Sequence, residues 1–191
     1  IETLEIIGDI QHIPKELFSQ CSSLTQITIP SFVTSIENNA FSRCFLLTQI
    51  TIPSSVKKIG NSAFCECSSL TQITIPSSVN SIGNSAFKGC SSLTRITVPS
   101  SVISIGNEAF YSCKSLTQIT IPSSVTSFGK YIFNGVKSLE IAGDIQCIPK
   151  ELFAGCSTLT QITIPSSVTI IEDNAFKECS SLTQITIPSS V

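Results

Sequence analysis

Ile52 to Thr74 reads IPSSVKKIGNSAFCECSSLTQIT, and the same phrase returns at Ile75 to Thr97, Val98 to Thr120 and Ile164 to Thr186. Phenylalanines at 18, 41, 64, 87, 110, 133, 153 and 176 mark the period, which is 23 residues everywhere except between Phe133 and Phe153, where it is 20. Self-similarity at a fixed period of this size is the signature of a stacked-repeat architecture. Eight units tile the chain from Ile6. The sixth, residues 121–140, is three residues short because the Cys-Ser-Ser triplet after Phe133 is missing, so that Val136-Lys137-Ser138-Leu139 stands where LTQI would. A longer phrase, LEIIGDIQHIPKELF at Leu4 to Phe18, recurs as LEIAGDIQCIPKELF at Leu139 to Phe153, which makes units one and seven a subtype. The pattern predicts one solenoid over residues 1–191 with no linker. Because the chain opens at Ile1 without a Met and closes inside an IPSSV phrase, it reads as a fragment of a longer repeat protein.

Each unit divides into two segments. In Leu70 to Pro76, apolar Ile73 and Ile75 alternate with polar Gln72 and Thr74, the period of two that marks a strand rich in β-branched residues. Pro76 ends it, because proline cannot donate to a ladder. In GNSAFCEC, Gly60 is read as reversing the chain and Asn61 or Ser62 as a cap, with Phe64 and Cys67 three apart on one side of a short helical turn. So short a strand and turn cannot bury a core alone, so the units must stack and form a parallel sheet.

Composition removes several classes of function. The chain holds one His and no Met or Trp, so a site needing two histidines cannot be built. Eleven basic and 13 acidic residues give a net charge of -2, too weak a field to hold nucleic acid or an anionic membrane. Charged residues make up only 13% of the chain, and 33 Ser with 19 Thr supply the polar surface instead. No apolar run approaches the roughly 20 residues of a membrane span, and membrane insertion is not expected.

The motif LxxIxIP, followed by a Val or Ile pair and GxxAFxxCxxL, resembles the leucine-rich repeat of the BspA-like type, known from bacterial surface proteins and expanded in parasitic protists. Leu17, Ile132 and Leu152 depart from it at the Ala position, and Pro14 and Pro149 at the Gly. The resemblance implies an α/β repeat fold: a curved, right-handed leucine-rich-repeat solenoid with a concave parallel sheet and short helical turns or loops on the convex side. It implies no catalysis, and binding of a protein or peptide partner such as a matrix or host protein. It also implies adhesion at a cell surface.

Cys21, Cys44, Cys67, Cys90, Cys113, Cys156 and Cys179 share one slot and are expected to form a buried, reduced column, since free Cys packs as a small hydrophobe. Cys65 with Cys67 makes a poor metal site, because the turn that buries one should turn the other outward, and neither a metal set nor a cofactor motif is read in the chain. His12, matched by Cys147 in unit seven, is read as loop variation, and no Ser has an apparent base. The candidate binding face is the row of side chains flanking each strand Ile: Gln49 and Thr51, Gln72 and Thr74, Arg95 and Thr97, Gln118 and Thr120, Ser138 and Glu140, and Gln161 and Thr163. Arg95 and Glu140 interrupt its uniformity, with Ser138 assigned to the Gln column and Glu140 to the Thr column. The open ends of the solenoid are expected to favour self-association. Nine unpaired cysteines keep an alternative in view, a cytoplasmic scaffold or regulatory adaptor that binds a partner through the same sheet.

Overall fold

The computed structural model describes residues 3–6 and 8–191. It is a parallel β-solenoid of stacked coils, and each coil contributes a strand to one or both of two ladders. The first ladder is built from the QIT phrases. Thr3–Glu5, Gln26–Thr28 and Gln49–Thr51 pair in parallel, as do Arg95–Thr97, Gln118–Thr120, Ser138–Ala142, Gln161–Thr163 and Gln184–Thr186. Between these groups Gln72 to Thr74 forms no strand and is tied on by one bridge, Thr51 to Thr74. Of the rungs of the eight units, seven are therefore strands: two join Thr3–Glu5 in a three-stranded sheet and five form a second sheet.

The second ladder was not foreseen from the sequence. His12–Ile13, Ser35–Ile36, Lys58–Ile59, Ser81–Ile82, Ser104–Ile105 and Ser127–Phe128 form a six-stranded sheet, and Cys147–Ile148 pairs separately with Ile170–Ile171. Its strands are two residues long, bracketed by the turn after each Pro, such as Val56 N–H to Pro53 C=O at 3.0 Å, and by the Gly slot.

The segment read as a helical turn is not one, and no helix occurs among the described residues. Ser62 and Glu66 sit in the left-handed region at φ of 54° and 59°, and every coil repeats such a pair four residues apart. An L-residue there cannot continue a right-handed helix. The N–H groups instead alternate between two destinations. Those of Ala63, Cys65 and Cys67 bond back to Gly60, Ser62 and Phe64 within the coil at 3.3, 3.1 and 3.2 Å. Those of Ser62, Phe64 and Glu66 bond forward to Asn84, Ala86 and Lys88 of the next coil at 2.7, 2.8 and 2.6 Å. Stacking satisfies the groups that a helix would have paired internally.

Asn61 is correspondingly not a helix cap. Its Oδ1 accepts the N–H of Asn84 at 2.9 Å, and the same bond joins Asn38 to Asn61, Asn84 to Asn107 and Asn107 to Lys130. Gly60 does not reverse the chain through a positive φ. A Cβ on it would lie 2.7 Å from the backbone N of Asn38, so at this coil glycine allows the close approach of the neighbouring coil.

Between the ladders and the turns lies the core. The eight phenylalanines of the period stack in one column with ring centroids 5.1 to 6.0 Å apart, the widest step being Phe110 to Phe133 at the short coil. Beside it runs the cysteine column, in which Cys44, Cys67, Cys90, Cys113 and Cys156 are buried while Cys21 and Cys179 are half-buried.

Candidate functional site

The short sixth coil decides the geometry of the QIT face. Three missing residues cannot be absorbed by sliding a strand three places, because odd slips exchange the inward and outward faces. The strand Ser138–Ala142 lengthens to five residues and uses two registers that differ by two. Toward one neighbour Ser138 stands opposite Gln161 and Glu140 opposite Thr163. Toward the other, Glu140 stands opposite Gln118 and Ala142 opposite Thr120. The sequence assignment of Ser138 to the Gln column and Glu140 to the Thr column holds on the first side and fails on the second. There Glu140 shares a column with Gln118 and, one strand further, with Arg95.

Arg95 and Glu140 are exposed, and Gln118 between them is half-buried. Gln118 Nε2 donates to Glu140 Oε2 at 3.3 Å, while the Arg95 guanidinium has no ion-pair partner among the described residues. At roughly 4.8 Å per strand the backbones of the two charged residues are about 10 Å apart, and Gln118 stands between them. A hollow of about 390 Å³ lies over them, bordered also by Ser138, Gln161 and Thr163. Thr94 and Thr117 line it as well, which the sequence reading missed. Strict alternation would have turned them inward with Ile96 and Ile119, yet both precede their strands and are exposed.

Other candidate residues are not part of this hollow. Gln49 and Thr51 project from the three-stranded sheet, on the far side of the interrupted rung. Gln72 and Thr74 form the interruption itself, where a depression of about 240 Å³ reaches Ile73, Arg95 and Thr97. Thr120 lies half-buried in its strand. The face is thus uneven, with Arg95 and Glu140 under one hollow in coils four to seven and a second exposed carboxylate, Glu5, beside a hollow of about 320 Å³ at the other end.

His12 belongs to a strand of the second ladder, not to a variable loop. Its Nδ1 lies 2.8 Å from Ser35 Oγ, and that hydroxyl donates to Glu37 Oε1 at 2.7 Å. The serine proton is aimed at the carboxylate and away from the imidazole, the reverse of what a nucleophile and its general base require.

A family model described as the BspA type leucine rich repeat region matches the chain in six copies, over residues 1–107 and 80–191. Among solved structures, the chain resembles the leucine rich repeat protein TpLRR of T. pallidum with a TM-score of 0.66 and 25% identity, over 94% of this chain and 77% of that one. It resembles the pneumococcal vaccine antigen PcpA in fold with a TM-score of 0.64 and 22% identity, over 100% of this chain and 61% of that one. Among curated proteins none matches. With the family model covering its whole length and the stacked parallel coils in place, this chain belongs to the BspA-type leucine-rich repeat family.

Proposed function

We propose that the chain is a non-enzymatic interaction module that binds an extended stretch of a protein partner across the QIT sheet, with its specificity at Arg95, Gln118 and Glu140. The observation that carries this reading is the free Arg95 guanidinium aligned through Gln118 with the Glu140 carboxylate under one hollow. Near-identical Gln and Thr rungs give a ligand no fixed register, and these two charges supply one. A peptide crossing the strands would present an acidic group to Arg95 and a basic or amide group to Glu140, about 10 Å apart, a span of three extended residues at about 3.3 Å each. Following the family resemblance, we place the module at a cell surface, with matrix or host proteins as partners. A second reading, a cytoplasmic scaffold using the same sheet, is favoured by the nine free cysteines.

The test is the double reversal Arg95→Glu with Glu140→Lys, used beside the parent chain to capture partners from matrix preparations and from cell extract. The variant should lose the partner that the parent retains while its melting temperature stays within about 2 °C, since exposed charges contribute little to stability. Retention of the partner by the variant would place the binding surface elsewhere. Capture from matrix alone supports the surface reading, and capture from extract alone supports the scaffold.

A further inference from the structure

The missing triplet opens a second hollow, on the other ladder. Successive coils are joined there by three recurring bonds. In coil six they run from Thr126 N–H to Ile103 C=O at 3.1 Å, from Gly129 N–H to Ile105 C=O at 2.8 Å, and from Ser124 Oγ to Val102 C=O at 2.9 Å. The equivalent carbonyls of coil six, on Val125, Thr126 and Phe128, should receive the same three bonds from coil seven. Among the described residues none arrives. Each failure has a cause in the sequence. Pro149 occupies the Gly slot and has no N–H for Phe128. Asp144 occupies the Ser slot, and its carboxylate, which has no proton to give the Val125 carbonyl, accepts from the N–H and Oγ of Ser123 at 2.8 and 2.9 Å. The three-residue deletion ends the pairing between Ser127–Phe128 and Cys147–Ile148, leaving Gln146 N–H away from Thr126.

The result is a notch of about 350 Å³ between coils six and seven. Val125, Phe128, Ile145 and Pro149 give it an apolar side, and Ser123, Thr126, Gln146, Cys147 and Glu172 give it a polar one. By equivalence with the coils below, three backbone carbonyls face this gap without protein donors, and Glu172 adds a carboxylate. Several donors nearby are committed, Ser123 Oγ to Asp144, Gln146 Nε2 to the Asp144 carbonyl at 2.8 Å and Lys150 N–H to Glu172 at 2.7 Å. Freed carbonyl acceptors and a carboxylate beside an apolar side suit a side chain that only donates and carries its charge on a hydrocarbon stem. Lysine carries three donors on an ammonium at the end of a four-carbon stem.

We infer that the notch between coils six and seven is a docking site for a lysine side chain of a protein partner, its stem against Phe128 and Ile145 and its ammonium on the Glu172 carboxylate and the nearest of the freed carbonyls. This site is separate from the Arg95 and Glu140 hollow and does not depend on it.

The experiment uses Cys147, which lines the notch, as a reporter. Iodoacetamide alkylation of Cys147 in the folded chain is followed by mass spectrometry, with Cys65, on the turn segment of coil three, as internal control. Acetyl-Gly-Lys-Gly-amide is added up to about 50 mM, in parallel with the same peptide carrying norleucine or glutamate. The lysine peptide should slow Cys147 at least threefold and leave Cys65 unchanged, while the other two have no effect. In Glu172→Gln the protection, taken as the ratio of rates with and without peptide, should fall at least twofold, and circular dichroism confirms that the variant is folded. Equal protection by norleucine would reduce the notch to an apolar groove and overturn the inference. Absence of protection by the lysine peptide at the highest concentration would also overturn it.

Discussion

The thiol of Cys113 lies 3.1 Å from the backbone carbonyl oxygen of Phe87 in the coil before it, and the same contact joins Cys44 to Phe18, Cys67 to Phe41, Cys90 to Phe64 and Cys179 to Phe153. Each Phe carbonyl concerned also accepts the N–H of the Cys three residues on, as Phe87 does from Cys90 at 3.1 Å. The cysteine column and the phenylalanine column are therefore one structure, with the weak S–H donor satisfying a second lone pair on a buried carbonyl.

Truncating this structure should rank the two columns. Phe87→Ala removes a fully buried ring stacked on Phe64 and Phe110 at 5.5 and 5.6 Å, and is expected to cost roughly 3 to 5 kcal/mol in urea denaturation. Cys113→Val keeps a small apolar side chain but deletes the donor, and is expected to cost about 1 kcal/mol. If the valine variant matches the parent in midpoint and slope, the thiol contacts are packing alone.

Burial raises the thiols of Cys113 and Cys156 from an ordinary value of 9.0 to about 12. Both stay protonated in the folded chain where the unfolded chain ionises. Their contribution is fully present below pH 9 and is lost as pH rises from 9 toward 12, at up to about 1.4 kcal/mol per pH unit for each thiol. The urea midpoint should accordingly fall between pH 8.5 and 10.5 more steeply for the parent than for Cys113→Val. At pH 8 the folded chain should be alkylated at Cys21, Cys65, Cys147 and Cys179, the four that are not buried. All nine should react in denaturant. Equal slopes for parent and variant, or rapid labelling of Cys113 in the fold, would contradict the buried column.

Two glycines should respond oppositely to substitution. A Cβ at Gly106 would lie 2.5 Å from the backbone N of Asn84 and 2.6 Å from its Oδ1. Gly106→Ala must push two coils apart and is expected to cost about 3 kcal/mol, the upper range for overpacking. Gly89, at φ of 73°, occupies the slot that Glu66 and Arg43 fill at 59° and 62° in neighbouring coils. Its Cβ would meet only the flexible Glu66 Cγ within 3.4 Å. Gly89→Asn should therefore change the melting temperature by less than about 3 °C, because Asn tolerates the left-handed region. Thermal melts followed by circular dichroism separate the two cases.

The sequence by itself determined the repeat length, the stacked parallel architecture, the Phe and Cys columns and the position of the defect at the sixth coil. All of these follow from apolar slots recurring every 23 residues, and periodicity survives in a linear string because every coil meets the same neighbours. It also singled out Arg95 and Glu140 as the breaks in a uniform face. What it could not fix were relations across coils. Whether Ser62 and Phe64 donate within a helical turn or forward to Asn84 and Ala86 depends on the next coil lying within hydrogen-bond reach, so the local GNSAFCEC pattern read as a helix. The second ladder has strands of two residues, too short to show alternation, and it exists because stacking brings Ser81 beside Ser104. The column shared by Arg95, Gln118 and Glu140 was decided only in three dimensions. A deletion of three residues was resolved as a slip of two, the nearest even step that keeps Leu139 and Ile141 in the core, with the second ladder broken as the cost.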